Sequence, residues 1–308
     1  MSLDAALAWS RARTFDHREF GAADGPGAAS VSVCLPARNE AETVGPIVSA
    51  LVELRERGEV DEVVVVDAAS EDGTVALARA AGATVLAQEA LAPGLGPVLG
   101  KGDAMWRALG VLRGEIVCFL DADSAVFGAH FARGLVGPLR RDPGVHFVKG
   151  CYRRPFRAGG VALPDGGGRV NELTARPLLH RFYPELAAVQ QPLAGEFAAR
   201  RELLERLPFA TGYGVEIGLL IDAYREVGLD GLAQVDLGVR QNRHQPLREL
   251  GPMAYAVLVA VTRRLGQEGR LDEEEPEGYL TAGPVGGGPR NMDFTERPPP
   301  ASLRTVGR

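Results

Sequence analysis

The stretch EIVCFLDADS, residues 115–124, decides the fold of this chain. Its first part is an apolar run without polar alternation, which is typical of a parallel strand buried on both faces. Similar runs lie at 31–36, 62–67 and 83–87, and segments with helical periodicity separate them. This alternation predicts an α/β fold with a mostly parallel, doubly wound, Rossmann-like sheet.

Acidic side chains follow these strands at the edge where such sheets bind ligands. Asp121 and Asp123 come directly after the strand that ends near residue 120, and Asp67 ends the run 62–67. Two carboxylates so close repel each other, and a divalent cation such as Mg2+ or Mn2+ would relieve that repulsion and neutralise a diphosphate. An isolated DxD is often a solvated turn, but its position after a buried strand favours a metal site.

A lysine between two glycines precedes a predicted helix. Gly100-Lys101-Gly102 offers an ammonium group and backbone amides to a phosphate, although a surface loop is the alternative. The stretch is not a Walker loop, because Leu95 stands where the first glycine is required and Gly102 follows the lysine. We interpret Lys101 as a ligand of a donor phosphate.

Three stretches of the second half also carry candidate groups. Gly166-Gly167-Gly168-Arg169 is typical of an anion-binding turn, or equally of a glycine turn before a helix. Glu216, early in a predicted helix 214–228, either stabilises the helix dipole or holds sugar hydroxyls. If the predicted strand 234–240 continues, Arg240, Asn242 and His244 share one face, and His244 becomes a candidate metal ligand. We interpret the other histidines as ordinary surface residues.

Composition excludes some partners. Lys and Arg total 34 against 40 Asp and Glu, a net charge of -6, which disfavours nucleic acid. The three cysteines, Cys34, Cys118 and Cys151, lie in apolar runs, so we expect buried, reduced thiols in a cytoplasmic protein. No signal-peptide pattern or membrane-spanning apolar run is apparent, which predicts a soluble enzyme without a membrane anchor.

We expect four parts along the chain. These are an N-terminal segment (1–28), a half with the predicted sheet and the acidic turn (29–152), a less regular second half (153–268) and a tail rich in Gly, Pro and Glu (269–308). The composition of the tail predicts a flexible or loosely docked segment.

An ordered set of motifs covers nearly the whole chain: LPARNEAETV, GKGDAMWRAL, DADS, YRRP, GGGRVNELTARPLL, QPLAGE, LPFATGYGVEIGLLID and LGVRQNRHQPL. In this set the sequence resembles the glucosyl-3-phosphoglycerate synthase family, which are retaining glycosyltransferases of the GT-A fold. The resemblance implies transfer of a hexose from a nucleotide sugar to the 2-hydroxyl of 3-phosphoglycerate. The half 29–152 would then be the nucleotide-sugar-binding half and the half 153–268 the acceptor-binding half. It also implies a divalent metal, usually Mg2+, and a homodimer.

The resemblance assigns roles by position. It implies that Asp121 contacts the nucleotide sugar, that Asp123 ligates the metal and that Lys101 holds donor phosphate. Glu216 and Tyr213 would orient sugar and acceptor, and Arg240 would join the catalytic groups. The remaining implied contacts are a donor pocket lined by Pro36, Ala37, Asn39, Glu40, Asp67 and Ala122, and an acceptor clasp of Gly168, Arg169 and Asn171.

Two departures from the family pattern affect the site. The pattern has His at position 242 and Asn at position 244, whereas this chain has Asn242 and His244. We expect His244 to ligate the metal, with Asn242 as the substitute. Ala68-Ala69 replaces the Ser-Gly that commonly follows Asp67, which removes a hydroxyl and leaves the preferred base open.

Our mechanistic hypothesis is a front-face displacement in which Lys101 and the metal stabilise the departing diphosphate and a donor phosphate oxygen accepts the acceptor's proton. The glucose donor would be UDP-glucose or GDP-glucose. The nearest rival is a mannosyl-3-phosphoglycerate synthase that uses GDP-mannose or both donors. A nucleotidyltransferase and a non-enzymatic nucleotide-sugar sensor are the alternatives from other classes.

Overall fold

The structure is a computed structural model, and it describes residues 3–21, 29–158, 161–163, 166–241, 245–272, 279–281 and 288–304. The first half of the chain forms α1 (Leu3–Arg13), β1 (Thr14–Asp16), β2 (Val31–Ala37), α2 (Val44–Glu56), β3 (Glu62–Asp67), α3 (Thr74–Ala80), β4 (Thr84–Ala87), α4 (Lys101–Ala108), β5 (Ile116–Phe119), α5 (His130–Arg141) and β6 (Phe147–Arg153).

The second half forms shorter and less regular elements before its two long helices. It contains β7 (Phe156–Ala158), β8 (Val161–Leu163), a π-helical turn (Asn171–Ala175), α6 (Arg176–Phe182), β9 (Phe197–Arg200), α7 (Arg201–Leu204), β10 (Phe209–Ala210), α8 (Val215–Val227), β11 (Leu232–Val239), α9 (Leu247–Gln267), β12 (Tyr279–Thr281), β13 (Gly288–Arg290), β14 (Glu296–Arg297) and α10 (Pro300–Arg304).

One large sheet forms the centre of the described residues. Its strands lie in the order β1-β11-β6-β9-β5-β2-β3-β4, and β9 alone among them runs antiparallel to its two neighbours, β5 and β6. The predicted mostly parallel α/β sheet is therefore confirmed. Because β9 is reversed, its first residues lie at the edge where the parallel strands end.

Two hydrophobic clusters cover the faces of this sheet. One contains Met105 of α4, Leu219 of α8 and Val261 of α9. The other contains Ile47 of α2 and Phe131 of α5. Helices on both faces explain why β2, β3 and β5 read as continuous apolar runs, since these strands are buried. The expectation of a buried strand at 83–87 is wrong, because β4 lies at the edge of the sheet and Thr84 and Ala87 are exposed. The predicted burial of the three cysteines, Cys34, Cys118 and Cys151, is confirmed.

The sheet takes strands from three of the four parts expected along the chain. β1 comes from the N-terminal segment and pairs with β11, which comes from the second half. β9 inserts between β5 and β6, which both come from the first half. The boundaries at 28 and 152 remain predictions, and the sheet crosses both.

Residues 296–298 of the tail are docked, so for this part the second of the two expected states, docking rather than flexibility, is the one observed. Glu296 and Arg297 form β14 against β10. Trp106 Nε1 donates a hydrogen bond of 2.7 Å to the carbonyl of Pro298. Composition did not reveal this docking because a few buried ion pairs and carbonyl contacts hold the segment, and their partners are distant in sequence.

None of the helices in the described ranges has both the length and the apolar character that a bilayer span requires.

Candidate active site

The carboxyl ends of β2, β3 and β5 meet at one edge of the sheet. They bring together the turn after Ala37, the end of β3 at Asp67 and the turn of Asp121 and Ala122. Thr43 Oγ1 donates to the carbonyl of Ala122 at 2.6 Å and so ties the acidic turn to the start of α2. The predicted convergence of strand-end residues at this edge is therefore present.

Asp121 is the centre of a charged cluster at that edge. Lys101 Nζ donates to its Oδ1, and Arg240 Nη2 donates to its Oδ2 at 2.8 Å. Lys101 Nζ also donates to Glu216 Oε1 at 2.8 Å. Burial alone would raise the pKa of Asp121, but Lys101 and Arg240 together hold that pKa well below its usual range. Asp121 is therefore a carboxylate at every physiological pH.

Arg240 connects the two aspartates to a buried glutamate. Its Nη2 donates to Asp123 Oδ1 at 2.6 Å, and its Nε lies 2.7 Å from Glu196 Oε1. Tyr152 donates its hydroxyl to Glu196 Oε2 at 2.8 Å. The guanidinium is 3% exposed, so its charge is balanced by these carboxylates rather than by water. Arg240 was predicted to lie on a strand face, but β11 ends at Val239 and Arg240 follows it.

The two glycines beside Lys101 are required by the backbone conformation and by close packing. Gly100 has a φ of 103°, a backbone conformation that favours glycine. A side chain on Gly102 would collide with the carbonyl of Ala210, and Gly102 N donates to the carbonyl of Thr211 at 3.1 Å. The prediction that both glycines offer free amides to a phosphate is thus wrong for Gly102, while the ammonium of Lys101 is at the predicted edge.

Sequence reasoning missed Glu196 and Gly195. They precede β9, whose reversed direction brings them to the carboxyl edge. A Cβ on Gly195 would collide with the carboxylate of Asp121, so glycine is required for this close approach. A buried glutamate next to an apolar strand was the available signal, because such a charge is rarely buried without a partner.

Lys149 is a second missed residue. It is 2% exposed, and its Nζ donates to the carbonyl of Ala194 at 2.6 Å, one residue before Gly195. Lys101 and Lys149 are the two lysines of a chain whose Lys and Arg total 34. Two signals in the sequence could have identified Lys149. Lysine is rare in this chain compared with arginine, and this lysine lies inside an apolar strand.

Burial lowers the pKa of Lys149 from 10.5 to about 8. Between those two values the unfolded chain binds the extra proton, so this lysine should make the free energy of unfolding rise with pH by up to about 1.4 kcal/mol per unit. Below pH 8 the cost of the buried charge is fully present.

We expect the difference in free energy of unfolding between wild type and Lys149→Met to shift in favour of wild type from pH 8 to 9.5. Urea titrations at the two pH values measure this difference. A constant difference would contradict the burial argument.

The candidate nucleotide pocket has an unsatisfied acceptor. Asp67 Oδ2 accepts from Ser70 N at 3.1 Å, whereas Oδ1 is buried without a hydrogen-bond partner among the described residues. A buried carboxylate oxygen in this state favours a ligand that brings an N–H or O–H donor. Asn39, one of the implied pocket residues, adopts a φ of 58°, and its side chain accepts from Glu71 N at 2.9 Å.

Ala69, the second of the two alanines that replace Ser-Gly after Asp67, has a strained backbone. Ala69 has a φ of 55°, in the left-handed region that disfavours residues with a Cβ. The commoner glycine at this position, which the family resemblance implies, meets no such penalty. Pro36 and Ala37 lie at the end of β2, and Ala68 N donates to the carbonyl of Ala37 at 2.9 Å. The turn is therefore held in place despite the strain.

The predicted acceptor residues occupy different environments. Gly168 has a φ of 71°, so the glycine turn is required by the backbone. Arg169 Nη2 donates to the carbonyl of Gln245 at 2.6 Å. Asn171 is buried; its amide donates to Glu172 and Gln190 and accepts from Leu193 N. Its predicted contact with an acceptor would require it to exchange one of these bonds.

Two further predicted residues lie around α8. Tyr213 is 57% exposed, just before this helix, and Glu216 is buried in its first turn, where it binds Lys101. The alternatives for Glu216 were a dipole-stabilising group or a sugar ligand, and its position beside Lys101 places it in the charged cluster.

The residues at the acidic turn fit a hard divalent cation in part. Asp123 is 36% exposed and offers carboxylate oxygens towards solvent next to Asp121. Within the described residues no group of three metal-ligating side chains converges. The predicted third ligand, His244 or Asn242, lies outside the described residues.

Comparisons with known proteins agree with this geometry. Residues 32–155 match the family model "Glycosyl transferase family 2". A glucosyl-3-phosphoglycerate synthase of Mycolicibacterium smegmatis is 51% identical over 237 residues, 77% of this chain and 78% of that protein.

Two crystal structures are similar over nearly their full length. A mannosyl-3-phosphoglycerate synthase of Rubrobacter xylanophilus is 48% identical with a TM-score of 0.88 and covers 97% of this chain and 98% of its own. A glucosyl-3-phosphoglycerate synthase of Mycobacterium tuberculosis, in complex with Mn2+, UDP-glucose and phosphoglyceric acid, is 42% identical with a TM-score of 0.80, covering 92% and 93%.

The sheet, the matched family model and the similar structures define a glycosyltransferase of the GT-A fold. The sequence identity of the chain to known relatives then identifies the family within this class of enzyme. The chain belongs to the glucosyl-3-phosphoglycerate synthase family. A nucleotidyltransferase or a nucleotide-sugar sensor is not supported by any of these similarities.

Proposed function

We propose that this enzyme transfers glucose, with retention, from a nucleotide sugar to the 2-hydroxyl of 3-phosphoglycerate. The observation that carries the proposal is the cluster of Asp121, Lys101 and Arg240 at the carboxyl edge of the sheet. It occurs in a chain 51% identical to a glucosyl-3-phosphoglycerate synthase. UDP-glucose is the expected donor, with GDP-glucose as the second candidate.

The cluster contains the groups that departure of a diphosphate requires. Lys101 carries a fixed positive charge, since burial lowers its pKa but Asp121 and Glu216 raise it well above its usual range. An ammonium held in this way stabilises negative charge that develops on a leaving phosphate. A bound divalent cation, held by Asp123, would supply further neutralisation of the same charge.

Asp67 and the adjoining turn support a nucleotide site. The unpartnered Oδ1 of Asp67 would accept a hydrogen bond from the base or the ribose. Asp121 and Ala122, in the turn after β5, would contact the nucleotide sugar, while Pro36, Ala37, Asn39 and Glu40, at and after the end of the intervening strand β2, would complete the pocket.

The rival function is transfer of mannose. It is favoured by the similarity to the mannosyl-3-phosphoglycerate synthase of Rubrobacter xylanophilus, which is 48% identical. A panel of UDP-glucose, GDP-glucose and GDP-mannose, assayed with 3-phosphoglycerate, separates the two. The highest kcat/KM with UDP-glucose is expected, whereas the highest value with GDP-mannose would replace glucose by mannose in the proposal.

Arg169 should determine the affinity for the acceptor. Its guanidinium offers a fork that matches phosphate or carboxylate, and it lies beside the Gly168 turn. Arg169→Ala is expected to raise the KM for 3-phosphoglycerate by about tenfold or more with a smaller change in kcat, because ground-state binding is lost. Initial rates at saturating donor measure this.

The control for Arg169 is Arg176→Ala. Arg176 lies on the same helical segment, and its Nε is 3.3 Å from Glu172 Oε2. This variant should retain the wild-type KM for 3-phosphoglycerate. An unchanged KM in Arg169→Ala itself would place the acceptor elsewhere.

We also propose Mg2+ as the metal used, with Mn2+ able to replace it, and a cytoplasmic homodimer. Hard carboxylate oxygens suit both ions. Activity after removal of metal and addition of each ion, and the mass of the protein in solution by light scattering, test these two points.

A further inference from the structure

The C-terminal segment 293–298, here called the strap, is connected to the start of α4 by hydrogen bonds. Thr211 N and Oγ1 donate to the carbonyl of Thr295 at 3.2 and 2.9 Å. On its other side, the carbonyl of Thr211 accepts from Gly102 N at 3.1 Å. The strap, β10 and the first turn of α4 are thus hydrogen-bonded in succession, and Lys101 begins α4.

Arg297 joins the strap to the loop that leads into Lys101. Its Nε donates to Asp103 Oδ1 at 2.6 Å. Its Nη1 and Nη2 donate to the carbonyls of Leu95 and Pro97 at 2.6 and 2.9 Å. One planar guanidinium therefore binds three acceptors on both sides of Lys101, a geometry that lysine could not reproduce.

Asp103 is a buried carboxylate that accepts several of these hydrogen bonds. It is fully buried two residues after Lys101, and it also accepts from Arg107 Nε at 2.8 Å and Leu99 N at 3.1 Å. A buried carboxylate requires such partners. Because Arg107 also donates to the carbonyls of Gly96 and Pro97, the two arginines hold the loop before Lys101 from both sides.

The strap is also anchored to the helix that carries Glu216. Glu296 Oε1 accepts from Arg264 Nη1 at 2.5 Å. The fully buried Arg264 donates through Nε and Nη2 to Asp222 Oδ2, at 3.0 and 2.6 Å, and Asp222 lies on α8. The two carboxylate partners of Lys101 are Asp121 and Glu216, so the strap contacts the element of the lysine and is linked through Arg264 to the helix of one of its partners.

We propose that the strap is a positioning element that fixes Lys101 in the charged cluster, with Arg297 as its principal positioning residue. The inference rests on the proposed function, because it takes Lys101 as the group that meets the donor diphosphate. The strap touches the loop and the helix start directly and reaches α8 through Arg264 of α9, and Arg297 acts on the site through Asp103 rather than through a substrate.

The test is a double-mutant cycle of Arg297→Met and Lys101→Met. A small displacement of a group that acts in the transition state is costly, so Arg297→Met is expected to lower kcat/KM for the donor roughly 10- to 100-fold and to leave the KM for 3-phosphoglycerate unchanged. In the Lys101→Met background the same change should cost less than about twofold, because the two residues act through one group. An equal loss in both backgrounds would overturn the proposal.

Two further variants separate positioning from general destabilisation. Arg297→Lys should restore only part of the activity, since an ammonium cannot bind all three acceptors. Arg57→Met is the matched control: Arg57 is exposed at the end of α2, with its Nη2 3.6 Å from Glu53 Oε2. It should behave as wild type in the rate assays.

The dissociation constant for UDP in the presence of Mn2+ provides a readout independent of turnover. Arg297→Met should raise it about tenfold in the wild-type background and leave it unchanged in Lys101→Met. If wild type binds UDP but transfers no sugar, the proposed function fails and this measurement still decides the role of the strap. If transfer occurs and Arg297→Met matches wild type in both assays, the function stands and the strap proposal fails.

Discussion

Asp123→Ala is expected to lower kcat roughly a thousandfold while the fold remains intact, because the carboxylate that would hold the metal at the diphosphate is removed. Asp123 is 36% exposed, and its Oδ1 accepts from Arg240 at 2.6 Å. After the change Arg240 retains Asp121 and Glu196, so the free energy of unfolding should change by less than about 1 kcal/mol. Steady-state rates at saturating metal and urea titrations measure the two effects.

Asp230→Ala is the control for this variant. Asp230 is exposed in the turn before β11, at the opposite edge of the sheet. It should leave kcat, metal dependence and stability as in wild type. Wild-type turnover in Asp123→Ala, at any metal concentration, would mean that the acidic turn does not hold the metal that catalysis requires.

Arg240→Met is expected to lower both stability and activity strongly. Arg240 Nη2 binds Asp121 and Asp123, and its Nε lies 2.7 Å from Glu196. Removal of the guanidinium leaves Glu196, with a side chain 2% exposed, without its counter-charge. Loss of one partner of a buried ion pair costs roughly 3–5 kcal/mol, and release of the two aspartates should lower kcat/KM by about a thousandfold.

Arg133→Met is the control that separates loss of stability from loss of activity. Arg133 binds Glu59 through hydrogen bonds of 2.6 and 2.7 Å, and Glu59 follows α2 at the other end of the molecule. This variant should lose stability without loss of kcat at a temperature where it is folded. If Arg240→Met, assayed while folded, kept the wild-type kcat, the guanidinium would be a structural group only.

The location of a candidate residue was predicted correctly where that residue directly follows or ends a strand. Asp67 and Asp121 lie at the carboxyl edge as expected, because a strand's end and its neighbouring turn are encoded by adjacent residues. Glu216 and Lys101 were recognised as charges at helix starts, and the structure places them 2.8 Å apart. Their pairing spans 115 positions and had no local signal.

The errors share one cause. Arg240 was expected within a strand, yet β11 ends at Val239 and a bulge interrupts its pairing with β6 between Asp236 and Val239. Glu196 was not singled out because its place depends on the reversed direction of β9. Apolar periodicity reports burial and element type, but it contains no information on the direction in which a later strand enters the sheet.

The tail illustrates the same limit. Its Gly, Pro and Glu content predicted a flexible or loosely docked segment, because such segments bury little apolar surface. The strap is held instead by Arg297 on Asp103 and by Glu296 on Arg264. Asp103 and Arg297 are 194 positions apart, so the partner of each charge becomes visible when the chain is folded.

The amino-acid sequence by itself determined the α/β class, the buried parallel strands and the acidic turn at the end of β5, since each of these follows from burial patterns between neighbouring residues. Tertiary structure alone decided the order of strands, the antiparallel entry of β9 and the ion pairs that join Lys101, Asp121 and Arg240. The physical reason is that buried charges are stabilised by partners brought close in space, and proximity in space is set by strand order and direction.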